Sequence, residues 1–220
     1  MPIDLIIFDC DGVVVDSEIL SCTCLVTLLG RYGVEIDLAG VYRQFLGRSF
    51  QAVADQYRAW RGAPVPDSFR PEWEAEIRDT FIRALQPMPG IADLLGSLRV
   101  PFCLASSSGL DRVRLSLDLA GLSGYFGAHV YTAQMVRNGK PAPDLFLHAA
   151  AAMGVEPGRA LVIEDSVSGV AAGKAAGMTV WGFVGGSHYA GRDERAALTA
   201  SGAAEVFAAM AEVQRRLQDS

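Results

Sequence analysis

Lysine is almost missing from this 220-residue sequence: Lys140 and Lys174 are the only two, and the rest of the 19 basic residues are arginine. No Lys/Arg block occurs and the formal net charge is −6, which excludes nucleic acid as a general partner. Histidine is scarce, and His129, His148 and His188 lie far apart with no Asp or Ser spacing that offers a triad, so none is assigned a chemical role. The cysteines Cys10, Cys22, Cys24 and Cys103 contain no CxxC pair, which excludes structural zinc and a disulfide framework. On a helix Cys22 and Cys24 would point about 200° apart and cannot clasp one metal; both are read as small buried hydrophobes. No window reaches the roughly 18 uninterrupted apolar residues that span a bilayer. Asp4 stands where a signal peptide carries a basic start. A cytoplasmic chain with no membrane partner is expected, and nothing demands more than a monomer.

Hydrophobic residues make up 50% and charged residues 20% of the chain, the composition of a folded protein. Against a typical domain of roughly 150 residues the length suggests one main domain with a sizeable insertion. Residues 5–8 form a short apolar run of the fully buried type found in parallel strands. From 17 to 85 the period is helical, with Leu20, Cys24 and Leu28, then Phe50, Val53 and Tyr57, then Trp73, Ile77 and Phe81 on successive apolar stripes. After residue 88 strands and helices alternate: strands at 102–105, 129–132, 161–164 and 179–183, and helices at 110–119, from Pro143 to a stop at Gly154, up to Gly177, and at the terminus. Proline suits the first helical turn because its missing N–H would be unpaired there anyway. Gly169, Gly173 and Gly177 suggest a helix packed closely on the sheet. The expected fold is α/β: a doubly wound, Rossmann-like parallel sheet from 1–15 and 88–220, interrupted by an all-α domain at 16–87.

Ligands of such sheets bind at the carboxyl ends of the strands. The first strand ends in Asp9-Cys10-Asp11-Gly12 and the 161–164 strand in Glu164-Asp165, so four carboxylates share one edge. Two such charges about 4 Å apart repel by roughly 4 kcal/mol at an effective dielectric near 20. Taken singly each pair could be a helix cap; taken together they call for a bound cation or raised pKa values. Hard oxygen donors without histidine or thiolate select Mg²⁺. Cys10, between two aspartates, would be a blunted thiol. Ser106-Ser107-Ser108-Gly109 leads from a strand into a helix, a phosphate cradle or an ordinary serine cap. Lys140, in Asn138-Gly139-Lys140-Pro141, can touch both a phosphate and a carboxylate.

Together DCDGVVVDSE at 9–18, LASSSG at 104–109, GKPAPDLF at 139–146 and LVIEDSVSGVAAGKAAGM at 161–178 resemble, in order, the motifs of the haloacid dehalogenase superfamily. The closer likeness is to its β-phosphoglucomutase-like group of sugar phosphatases with a helical cap. That resemblance implies Asp9 as the nucleophile, Asp11 as acid and base, and Ser106 and Lys140 as holders of the phosphate, with Ser107 and Ser108 beside it. It implies Mg²⁺ bound by Asp9, the Asp11 carbonyl and Asp165, with Glu164 a ligand or a neighbour of one. Mg²⁺ and Lys140 would then offset the three carboxylates that remain once Asp11 is protonated. Asp11 argues against dehalogenases and phosphonatases, which lack it. The mutase's cap histidine is matched by Ser21, which favours hydrolysis. The 45–49 loop makes Arg48 a substrate-binding candidate, with cap closure bending at 15–18 and 86–90. The expected function is Mg²⁺-dependent hydrolysis of a small phosphorylated sugar, polyol or sugar acid. The alternatives are a hexose phosphate mutase and a receiver-like phosphoacceptor module.

Overall fold

Strand β1, the apolar tetrapeptide Leu5–Phe8, lies at the centre of the computed structural model, which describes residues 3–219. Its partners are β2 (Phe102–Ser106) and β4 (Ala160–Glu164), and the six parallel strands run in the order β3-β2-β1-β4-β5-β6. The outer strands are β3 (Val130–Thr132), β5 (Thr179–Phe183) and β6 (Glu205–Phe207). Every β1 side chain is buried because the sheet is covered on both faces. Ile6 and Phe8 point into one cluster with α5 (Ile91–Ser97), α6 (Leu110–Leu119), α7 (Ser123–Phe126) and α11 (Met210–Gln218). Leu5 and Ile7 point the other way, onto α8 (Asp144–Ala152), α9 (Val167–Ala175) and α10 (Arg195–Ala200). Each such fully buried side chain contributes roughly 1.5–3 kcal/mol. This is the doubly wound α/β sheet that the alternating pattern predicts.

Three details depart from the sequence reading. The edge strand β6 falls where only terminal helices are expected, since three half-buried residues carry no readable period and pair only because β5 is there. Pro143 caps α8 from outside rather than opening it, and the helix begins at Asp144. The Ser106 backbone still belongs to β2, pairing with Thr132. Close packing of α9 holds: a Cβ on Gly173 would come within 2.7 Å of Val180 Cγ2.

Between β1 and β2 the chain builds α1 (Glu18–Arg31), α2 (Leu38–Phe45), α3 (Phe50–Arg61) and α4 (Phe69–Ala84). Asp37 caps α2 by accepting from Gly40 N at 2.7 Å, and Gly62 ends α3 in the left-handed region at φ 69°. Their apolar stripes converge on a cluster of their own, including Leu25, Leu28, Phe45, Tyr57 and Phe69. Cys22 joins that cluster while Cys24 faces the sheet's, as their opposite directions require. The two chain crossings run side by side, with Asp16 N donating to Gln86 O at 3.0 Å and Met88 N to Val14 O at 2.9 Å. Among the described residues no helix is long and apolar enough to cross a membrane.

Candidate active site

Register decides which residues meet. Phe8 is level with Leu104 and with Ile163, so Asp9, Ala105 and Glu164 emerge together at the carboxyl edge. Carboxylate oxygens of Asp9, Glu164 and Asp165 lie within 4.8 Å of one another, all three residues buried. Lys140, its side chain 1% exposed, donates to Asp9 Oδ1 at 2.5 Å, Glu164 Oε1 at 2.6 Å and Ala105 O at 3.1 Å. The other Glu164 oxygen accepts from Ser166 N at 2.7 Å and Oγ at 2.9 Å, so Glu164 is committed to Lys140 and the start of α9. A Cβ at Gly169 would overlap the Glu164 carboxylate, which explains the glycine there.

Burial, reinforced by Glu164, Asp165 and Asp11 and only partly offset by Lys140, holds the Asp9 carboxyl well above the usual range. Burial and then Glu164 raise Asp165 in the same sense. Lys140 is pushed up despite its burial, because Asp9 and Glu164 favour the ammonium. Asp165 Oδ2 is buried without a hydrogen-bond partner; His188 Nε2 lies 3.3 Å away without bonding it, and burial lowers the pKa of that imidazole. Gly12, at φ 83°, admits the Asp165 carboxylate where a Cβ would overlap it. Buried hard oxygens, one orphaned and two with raised proton affinity, fit a divalent cation. Burial and both aspartates push the Cys10 thiol pKa up, which disfavours its thiolate.

Asp11 sits one turn of loop away with a different set of partners. Its Oδ1 accepts from Ser17 Oγ at 2.6 Å and Arg112 Nη2 at 3.0 Å. Its Oδ2 accepts from Ser108 Oγ at 2.7 Å and Ser106 Oγ at 3.5 Å. Burial opposes ionisation, but Arg112 and the two shorter hydroxyl bonds prevail and bring the carboxyl below its ordinary value. Arg112, which no motif announces, thus favours the carboxylate form of Asp11 in the free protein. Ser108 Oγ is spent on Asp11, and Ser106 Oγ accepts from Ser108 N at 3.0 Å; Ser107 lines the open space.

That space is a cavity of about 880 Å³ between the sheet edge and α1–α4, bounded by Asp9, Asp11, Lys140 and Ser106 on one side and by Arg48, Trp73 and Phe81 on the other. Arg48 stands exposed in the turn between α2 and α3, at the rim. Ser168 Oγ donates to Gly47 O at 3.1 Å, seating this turn on α9. Two neighbours of the acidic edge, Arg112 and His188, carry no motif signal. Arg112's only cue is its place in the first turn of the helix after the serine loop, and His188 is brought to Asp165 by the turn after β5.

The chain matches the family model of haloacid dehalogenase-like hydrolases over residues 3–177. It is 28% identical to the 6-phosphogluconate phosphatase of Escherichia coli over 84% of this chain and 85% of that protein. With the fructose-1-phosphate phosphatase YqaB of the same organism it shares 32% identity over 79% and 92%. A crystal structure of a haloacid dehalogenase-like protein from Agrobacterium tumefaciens superimposes with TM-score 0.84 at 35% identity, covering 99% of this chain and 98% of that one. A six-stranded parallel sheet with a buried acidic edge, the match of most of the chain and these relatives agree: the protein is a member of the haloacid dehalogenase-like hydrolase family.

Proposed function

We propose that the chain is an Mg²⁺-dependent phosphatase of small phosphorylated sugars, polyols or sugar acids, working through an aspartyl-phosphate on Asp9. The observation that carries this is the setting of Asp9. It is a buried carboxylate at a strand end, gripped on one oxygen by Lys140, next to Asp165 and facing a cavity large enough for a sugar phosphate. The relatives named for 6-phosphogluconate and fructose 1-phosphate support the same substrate class.

Asp11 takes up a proton from solvent as the anionic phosphate binds beside it; an Asp9 oxygen then attacks phosphorus while the bond from phosphorus to the ester oxygen breaks, and Asp11 gives that proton to the departing oxygen. Asp11, now a carboxylate, takes a proton from water as the water oxygen displaces Asp9, leaving inorganic phosphate, the free alcohol, the Asp9 carboxylate and a protonated Asp11. Lys140 and the Ser106 hydroxyl hold the phosphoryl oxygens. Asp9, Asp165 and the Asp11 carbonyl would hold Mg²⁺, with Glu164 fixing Lys140. Bound there, the ion supplies charge neutralisation to the transferring group. Residues 16–87 serve as a cap that excludes water, with Arg48 at its rim. Ser21, which stands where the mutase has its histidine, donates to Ser17 O at 3.0 Å and accepts from Arg112 at 2.8 Å, so a serine engaged within the protein replaces that proton shuttle, which supports hydrolysis.

A phosphate-release screen over phosphorylated metabolites, run with Mg²⁺ and with EDTA, tests the proposal. Release should require Mg²⁺ and fall by about 10³-fold or more in Asp9→Asn, which cannot form the acyl phosphate. Retention of a tenth of the activity in that variant refutes the assignment.

A further inference from the structure

Asp11 is held by four donors, and one of them differs from the rest. Ser17, Ser106 and Ser108 are hydroxyls, free to turn and equally able to accept. Arg112 is charged, donates only, and grows from α6 on the sheet side of the cavity. The same Nη2 that donates to Asp11 Oδ1 at 3.0 Å donates to Ser21 Oγ on α1 at 2.8 Å. The guanidinium lies 5.1 Å over the Phe81 ring of α4. One side chain thus touches the sheet-edge carboxylate and two of the inserted helices.

We propose that Arg112 is the positioning residue for Asp11 and that α1 and α4 complete its placement through Ser21 and Phe81. This rests on the reading of Asp11 as the proton donor. When Asp11 passes its proton to the departing oxygen it becomes an anion, and a guanidinium already in hydrogen-bond contact stabilises that anion as it forms. A fixed Oδ1 also leaves Oδ2 as the oxygen turned to the serine loop. The contribution grows with the need for the proton, so it is large for alkoxide leaving groups and small for a phenolate that departs unprotonated.

The test is kcat/KM over p-nitrophenyl, phenyl, benzyl and ethyl phosphate with Mg²⁺ present, for wild type, Arg112→Ala, Arg112→Lys, Ser21→Ala and Asp11→Asn. Arg112→Ala should lose about 100-fold on ethyl phosphate, near the lower bound for general acid catalysis, and under about threefold on p-nitrophenyl phosphate. Arg112→Lys should restore part of the alkyl activity, and Ser21→Ala should steepen the leaving-group dependence mildly. A uniform loss across the series, or a slope parallel to wild type, overturns the inference. If Arg112→Ala does not fold, the slopes of Arg112→Lys and Ser21→Ala decide it in the same way. Asp11→Asn separates the two readings. If it fails to steepen the slope, the proton-donor assignment is wrong. If it steepens the slope while the Arg112 variants do not, only the role of Arg112 falls.

Discussion

Removing one ammonium should show what holds the acidic edge together. Lys140 has its side chain 1% exposed and is the cation bonded to both Asp9 and Glu164, with its ammonium nitrogen 4.8 Å over the Phe146 ring centroid. Lys140→Met keeps most of the apolar stem and deletes the charge, leaving Asp9, Glu164 and Asp165 crowded without it. Breaking a buried pair by removing one partner costs about 3–5 kcal/mol. At about 2–4 °C per kcal/mol for a chain of this size, the melting temperature should fall by roughly 6–20 °C at pH 8 in EDTA. The pH dependence has a definite sign. Asp9 and Asp165 already have folded-state pKa values above their unfolded ones, so their contribution is fully present below the unfolded pKa and is lost as pH rises through the folded one. Deleting Lys140 raises those folded values further, so the deficit of the variant should grow with pH and be smallest near pH 4. Thermal unfolding followed by circular dichroism at pH 4, 6 and 8 measures it. An undiminished melting temperature at pH 8, or the same deficit at every pH, would refute the account of the cluster as carboxylates held by one cation.

Mg²⁺ at a hundredfold excess over its dissociation constant should stabilise the wild type by about 2.7 kcal/mol, and the gain should vanish in Asp165→Ala; an equal gain in that variant places the ion elsewhere. Burial, then Asp165 and Asp11, raises Glu18 to a pKa of about 8. The protonated form therefore favours the fold below the unfolded value near 4.5, and this benefit drains away as pH climbs towards 8. In EDTA, Glu18→Gln should match the wild type near pH 4 and melt higher at pH 8; matching curves at both pH values contradict the burial argument. Arg48→Ala should lower kcat/KM for the preferred sugar phosphate by roughly 10- to 100-fold and leave p-nitrophenyl phosphate nearly unchanged, and steady-state kinetics showing equal losses on both would remove Arg48 from substrate contact.

Much of the architecture is written in local pattern. Four apolar residues ending in Asp9, and the 161–164 run ending in Glu164-Asp165, mark buried parallel strands whose carboxyl ends carry acids. The helical period from 17 to 85 marks the insertion. These signals are legible because burial on both faces demands continuous apolar runs and because a strand's end follows from where such a run stops. Lys140 was visible by rarity and by its motif. What sequence could not determine is which polar atoms meet. Sheet order and register make Phe8 level with Leu104 and Ile163, and so bring Lys140 onto both Asp9 and Glu164. Arg112 lies 101 positions from Asp11 and His188 lies 23 from Asp165; neither spacing has a local period to betray it. Both contacts exist only because separate elements pack against one sheet edge, and the proton affinity of each carboxyl depends on those neighbours and on burial. Sequence by itself determined the buried strands, the helices of the insertion and the acids at the strand ends, because these follow from short-range pattern, though not the edge strand β6. Tertiary structure alone decided the lowered proton affinity of Asp11, the commitment of Glu164 to Lys140 and the linking of Asp11 to the inserted helices, because electrostatic interaction depends on distance in space and not along the chain.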